Sequence, residues 1–189
     1  MKLELIKAIS RHVELTAEEQ RQVIHAFSSA KLKRKELWLE EGGKTQSLAF
    51  VVSGCLYSYS FDSKGQTNPL QFARPHGWIT DLYAYLSNAP STLSVEALTS
   101  SEILTITREE QLKLFEAVPK LERYFRIITE NALVSSRKRN LDLLNLSAKE
   151  RYEQFISNYP GLMQEVTLKL IAKYIGITPE FLSKLRREG

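Results

Sequence analysis

Four polar side chains near the C-terminus, Glu180, Ser183, Lys184 and Arg187, recur at spacings of three and four. A helix would carry them on one face. Their chemistry is recognition by hydrogen bonds: a carboxylate accepts from the amino group of cytosine, and lysine or arginine donates to guanine or to a phosphate. Which side chain takes which partner is open. Thr178 can cap this helix through its hydroxyl, and Pro179 at its first position gives up an N–H that would have no partner. Thr178, Pro179, Glu180, Ser183, Lys184 and Arg187 are therefore the candidate nucleic-acid contacts. The bland alternative is a helical hairpin with a solvated outer face.

Catalysis has little to work with. The histidines are His12, His25 and His76; none has a second histidine or cysteine at metal-binding spacing, and no Ser/His/Asp or Cys/His grouping stands out. Cys55 is the single cysteine, which excludes an internal disulfide and a four-cysteine metal site. Its apolar surroundings predict a buried structural thiol. No metal, cofactor or catalytic residue is assigned. No apolar run approaches membrane-spanning length, and MKLELIKAIS mixes charges into an amphipathic pattern, so a cytoplasmic location is expected.

The elements that must position the recognition face lie around it. In residues 167–187, Ile171, Ile175, Ile177, Leu182 and Leu185 put one apolar stripe on each of two short helices, Ala172 allows close passage, and Gly176 suits a left-handed turn. This is the pattern of a helix-turn-helix. Upstream, residues 2–28 read as helices, with a capping box at Thr16 and Glu19. From Lys31 the period changes to two, giving short strands around Leu32, Leu37, Leu39, 48–52, 55–61, 70–72, 93–97 and 103–106. Turn residues between them predict an antiparallel β-roll, jelly-roll or cupin-like in outline. A box at Thr107 and Glu110 opens a further helix, and a long one runs from Pro119 to about Asn145. A third box at Ser147 and Glu150 restarts the chain after a hinge at 145–147. Residues 164–166 read as a short strand.

The long helix has two apolar sides and needs two partners. One is expected on the roll. The other, through Phe125, Ile128, Ala132 and Ser135, is expected to meet the same helix of a second subunit, with burial inside one monomer as the alternative. The expected class is α+β, with a sensor roll over 1–118, a dimerisation helix over 119–146 and a helix-turn-helix domain over 147–189. The formal charge is +4, and its distribution is uneven. From Pro119 onward there are 13 Lys+Arg against 8 Asp+Glu, and before it 13 against 14. A basic C-terminal part favours a nucleic-acid partner.

This order of elements resembles the CRP/FNR family of bacterial transcription regulators, over nearly the whole chain. The resemblance rests on Gly54-Cys55-Leu56-Tyr57, on Pro75-His76-Gly77-Trp78-Ile79-Thr80-Asp81-Leu82 in the place of the phosphate-binding cassette, and on Ile171-Ala172-x-x-Ile175-Gly176-Ile177-Thr178. It implies a homodimer that binds palindromic double-stranded DNA, with RNA polymerase and an unidentified small-molecule effector as further partners. It also places a ligand pocket at Thr80, Asp81, Leu82, Ser91 and Thr92. Cyclic-nucleotide binders of the family carry Gly-Glu before the leucine and an arginine before a small residue. Here Thr80-Asp81 and Ser91-Thr92 stand instead, and the positive partner of a cyclic phosphate is missing. Cyclic AMP is therefore not expected as the effector, although Asp81 could accept from a ribose-like hydroxyl. The family's iron–sulfur mode is excluded by its absent cysteines. Its short hairpin wing has no counterpart before Gly189.

Two other classes compete. One is a ligand-sensing roll that acts through protein contacts without DNA. The other is a cupin-like enzyme, which would need a His-x-His pair with a glutamate and a further histidine, while the roll holds only His76.

Overall fold

A computed structural model of the chain describes residues 1–44 and 47–188. The element order is α1 Lys2–Ser10, α2 Ala17–Ala26, β1 Ser28–Leu32, β2 Leu37–Leu39, β3 Ser47–Ser53, β4 Leu56–Phe61, β5 Thr67–Ala73, β6 Trp78–Ile79, α3 Leu82–Ser87, β7 Ser94–Ala97, β8 Ser101–Thr107, α4 Arg108–Ala117, α5 Lys120–Asn145, α6 Ala148–Asn158, α7 Leu162–Glu165, α8 Leu168–Ile175 and α9 Pro179–Glu188. Two compact units result, Met1–Ile127 and Ile128–Gly189.

In the first unit the strands form two four-stranded antiparallel sheets, β1-β8-β3-β6 and β2-β7-β4-β5. The expected α+β class with an antiparallel β-roll is what the chain adopts. Alternate residues of both sheets, among them Leu39, Val51, Leu56, Val95 and Ile103, build one apolar core, because a period-two strand sends every second side chain to the same face. Cys55, just before β4, is buried. Gly54, between β3 and β4, has φ 83, and the N–H of Cys55 after it donates to two side-chain oxygens, Thr99 Oγ1 at 3.0 Å and Ser101 Oγ at 3.2 Å.

Two of the three capping boxes close fully, at Thr16 with Glu19 and at Ser147 with Glu150. At Thr107 the hydroxyl accepts from Glu110 N–H at 3.1 Å, while the Glu110 carboxylate turns to Lys113. Two local readings are corrected. Residues 164–166 do not form a strand: α7 covers Leu162–Glu165, with Leu162 and Val166 both buried, four residues apart, and Gly161 at φ 81 starting the turn. The second is α3, which has no counterpart in the sequence reading. Asp81 caps it through Ala84 N–H and Asn88 ends it at φ 57, and six residues are too few to display a helical period.

The long helix α5 is anchored by its first turns. Leu121, Tyr124 and Phe125 are buried, and Trp78 Nε1 donates to Tyr124 Oη at 3.0 Å. Rings of Phe50, Phe115 and Phe125 lie around Trp78 and one another at centroid distances of 5.1 to 5.5 Å. Burial pushes the Tyr124 phenol up to about 12. Phe125 is thus part of the core of its own unit. Ile128 is half-buried, and Ala132 and Ser135 are exposed. The same face continues at helical spacing through Arg139 and Leu143, which line a cavity of about 400 Å³ inside the second unit together with Ser135, Tyr174 and Ile175. The face expected to meet a partner is thus buried at Phe125 and open at Ala132 and Ser135. The exposed apolar residues of α5 are Leu133, Val134, Leu141, Leu143 and Leu144.

The left-handed glycines differ in surroundings, which makes a paired test. A Cβ at Gly54 would lie 2.8 Å from Ser101 Cα, whereas Gly65, at φ 72, has nothing within 4 Å. Gly65→Ala is expected to lower unfolding free energy by about 1 to 2 kcal/mol, the penalty of the backbone conformation alone, and Gly54→Ala by about 3 kcal/mol or more, with overpacking added. Denaturant unfolding of the two variants measures the difference.

Candidate nucleic-acid interface and roll pocket

The C-terminal pair is built from its caps inward. Thr167 Oγ1 accepts from Leu170 N–H at 3.4 Å to start α8, and Gly176, at φ 70, ends it. Ile177 N–H then donates back to Ala172 O at 2.9 Å, and Thr178 Oγ1 accepts from Phe181 N–H at 3.2 Å to start α9. Ile171, Ala172, Ile175 and Leu182 are buried between the helices, while Ile177 and Leu185 are half-buried.

A helix leaves its last carbonyls without partners. Here two arginines take them. Arg151 Nε donates to Ile175 O at 2.7 Å and its Nη2 to Gly176 O at 3.4 Å; Arg139 Nη2 donates to Tyr174 O at 3.0 Å. The Arg139 guanidinium also lies 4.1 Å from the Tyr174 ring centroid, a cation–π contact. Leu143 closes over the turn, since a Cβ at Gly176 would be 3.1 Å from its Cδ2. None of Arg139, Leu143 and Arg151 was identified from the sequence. They lie 24 to 37 residues before the turn they hold, and no local period connects them to it.

On α9 the predicted residues separate by role. Thr178, Glu180, Lys184 and Arg187 are exposed. Pro179 and Ser183 are half-buried, and Ser183 Oγ donates to Pro179 O at 2.9 Å. Arg186 and Phe181 are exposed as well. Neither was singled out beforehand, although Phe181 stands three residues before Lys184, a spacing that puts the two side by side.

Of the five residues expected to line a roll pocket, Asp81, Ser91 and Thr92 form an internal bond set. Asp81, 2% exposed, accepts at one oxygen from Ala84 N–H, and at the other from Thr92 N–H (2.7 Å), Thr92 Oγ1 (2.9 Å) and Ser91 Oγ (3.1 Å). Burial pushes its pKa up, but these hydrogen bonds outweigh burial and hold it below the usual aspartate range. All four donors are neutral, so the carboxylate keeps its negative charge. Both of its oxygens accept hydrogen bonds from the chain itself, one at Oδ1 and three at Oδ2. Thr80 Oγ1 donates to Ser47 O at 2.8 Å, and Leu82 is 41% exposed. A separate open groove of about 480 Å³ is lined by Leu37, Glu40, Glu41, Gly42, Tyr59, Phe61 and Ser94, none of them among the five. Among the described residues, no group of three or more His, Cys, Asp or Glu is placed to hold a metal ion, and no helix is long and apolar enough to cross a membrane.

Comparison with known proteins places this arrangement. Residues 30–117 match the family model of the cyclic nucleotide-binding domain. No curated protein sequence matches the chain. Among solved structures, FixK2 from Bradyrhizobium japonicum is similar at 20% identity, over 86% of this chain and 83% of that one, with a TM-score of 0.74. The catabolite activator protein of Thermus thermophilus is similar at 19% identity, over 96% and 85%, with a TM-score of 0.60. A protein from Eubacterium rectale assigned to the CRP/FNR family of transcriptional regulators is similar at 15% identity, over 92% and 83%, with a TM-score of 0.69. Residues 30–117 are therefore similar to a cyclic nucleotide-binding domain, and the chain shares the fold of these CRP/FNR-type structures.

Proposed function

We propose that the protein is a homodimeric regulator of transcription that reads a palindromic DNA site with α9, that its roll does not respond to cyclic AMP, and that it is not an enzyme. The observation that carries this reading is the exposed face of α9, where Thr178, Glu180, Lys184, Arg186 and Arg187 stand over a buried stripe anchored by Leu182. Such a face offers hydrogen bonds to base edges from its first turns and cations to phosphates from its last. The Eubacterium rectale match is described as a transcriptional regulator, which supports the regulatory half of the reading.

Dimerisation is assigned to a different side of α5 than the sequence suggested. Val134, Leu141 and Leu144 are exposed and fall seven and three residues apart, with the half-buried Ile127 seven before Val134. This is the spacing of a two-stranded coiled-coil seam. Two copies joined along it would present two α9 helices to half-sites about one helical turn apart. Ala132, on the opposite side, takes no part.

The roll is read as closed to cyclic phosphates. A phosphate at the cassette would meet the ionised Asp81 and the neutral Ser91 and Thr92, and burying an anion without a positive partner costs several kcal/mol.

Three measurements check these points. Lys184→Ala and Arg187→Ala are each expected to weaken binding to a selected duplex and to lower the salt slope by about 1 where a phosphate contact is lost. Their melting free energies should stay within about 0.5 kcal/mol of wild type, as for surface substitutions; early melting of both would mean a packed face. In sedimentation, Leu141→Glu combined with Val134→Glu should give monomers while Ala132→Glu stays dimeric, and the reverse pattern would return the seam to the side first expected. Saturating cyclic AMP should leave the melting temperature and DNA affinity unchanged; an upward shift would show a bound state.

A further inference from the structure

Phe181 is the one large apolar side chain of α8 and α9 that stays exposed among the described residues, with 43% of its surface accessible. Single exposed apolar residues are common on protein surfaces, and the setting of this one distinguishes it. It occupies the first turn of α9, where its own N–H is fixed to the Thr178 hydroxyl, and it stands among the exposed Thr178, Glu180 and Lys184. The N-terminal part of such a helix is the part that approaches base edges when it lies in a major groove. In that groove thymine presents the one apolar group of the four bases, its C5 methyl. Glu180 and Lys184 suit the cytosine amino group and the guanine acceptors. An aromatic ring beside them adds recognition of an A·T pair.

We propose that Phe181 is a specificity-determining residue that covers a thymine methyl group in each half-site. The inference rests on the DNA-binding reading above and adds a base identity to it.

The test uses the full chain. Duplexes are selected from a random pool, and each thymine of the selected half-site is replaced in both copies by deoxyuridine, which removes the methyl and keeps every hydrogen-bonding group. At one thymine position wild-type affinity should fall about four-fold per half-site, the worth of one methyl group returned to water. Phe181→Ala should bind the two duplexes equally, and Phe181→Leu should keep part of the difference. Melting curves of both variants confirm that they fold. A selected half-site without thymine, a wild type indifferent to every deoxyuridine, or an equal loss in wild type and Phe181→Ala overturns the inference and leaves DNA binding standing. Failure to enrich any duplex removes the DNA-binding reading, and this inference with it.

Discussion

Two guanidinium groups on the carbonyl end of α8 tie the C-terminal unit together. Arg151 and Arg139 donate to Ile175 O, Gly176 O and Tyr174 O, the groups a terminating helix cannot satisfy from within. The charge also suits the negative end of the helix dipole. Because the turn that follows fixes where α9 starts, these bonds bear on the direction in which α9 leaves the turn. Leu143 against Gly176 adds a steric stop: any side chain at that glycine would press on it.

The roll solves a related problem by the opposite means. Asp81 is a charge in a nearly inaccessible position, and it is stabilised by four neutral donors in place of a cation. Buried ionised groups without partners are expensive, and hydrogen bonds to the charged form are one of the ways to offset the loss of water. The bonds from Ser91 and Thr92 tie residues 91–92 to the cap of α3, so the segment keeps the outline of a ligand cassette while its polar groups face one another.

The long helix α5 shows how one element divides its sides. Its first turns bury Leu121, Tyr124 and Phe125 in the first unit, and Arg139 and Leu143, further along on the same side as Phe125, serve the second. What remains is a stripe through Val134, Leu141 and Leu144, exposed in the single chain. Apolar residues of both sides look alike in the sequence. Whether Phe125 or Val134 is covered by the chain itself depends on where the roll and the turn after α8 lie.

The sequence by itself determined what depends on neighbours along the chain. The change of period from 3.6 to two at the start of the roll, the capping boxes at Thr16 and Ser147, and the pattern around Gly176 are set by residues a few positions apart. They were therefore readable, as were the α+β class and the exposed places of Glu180, Lys184 and Arg187. The tertiary structure alone decided what depends on residues brought together from afar. It assigned the carbonyls at the end of α8 to Arg139 and Arg151, gathered Ser91 and Thr92 around Asp81, and buried Phe125 while leaving Val134 exposed. The physical reason is common to all three: hydrogen bonds and burial are satisfied by proximity in space, and a one-dimensional pattern records only proximity along the chain.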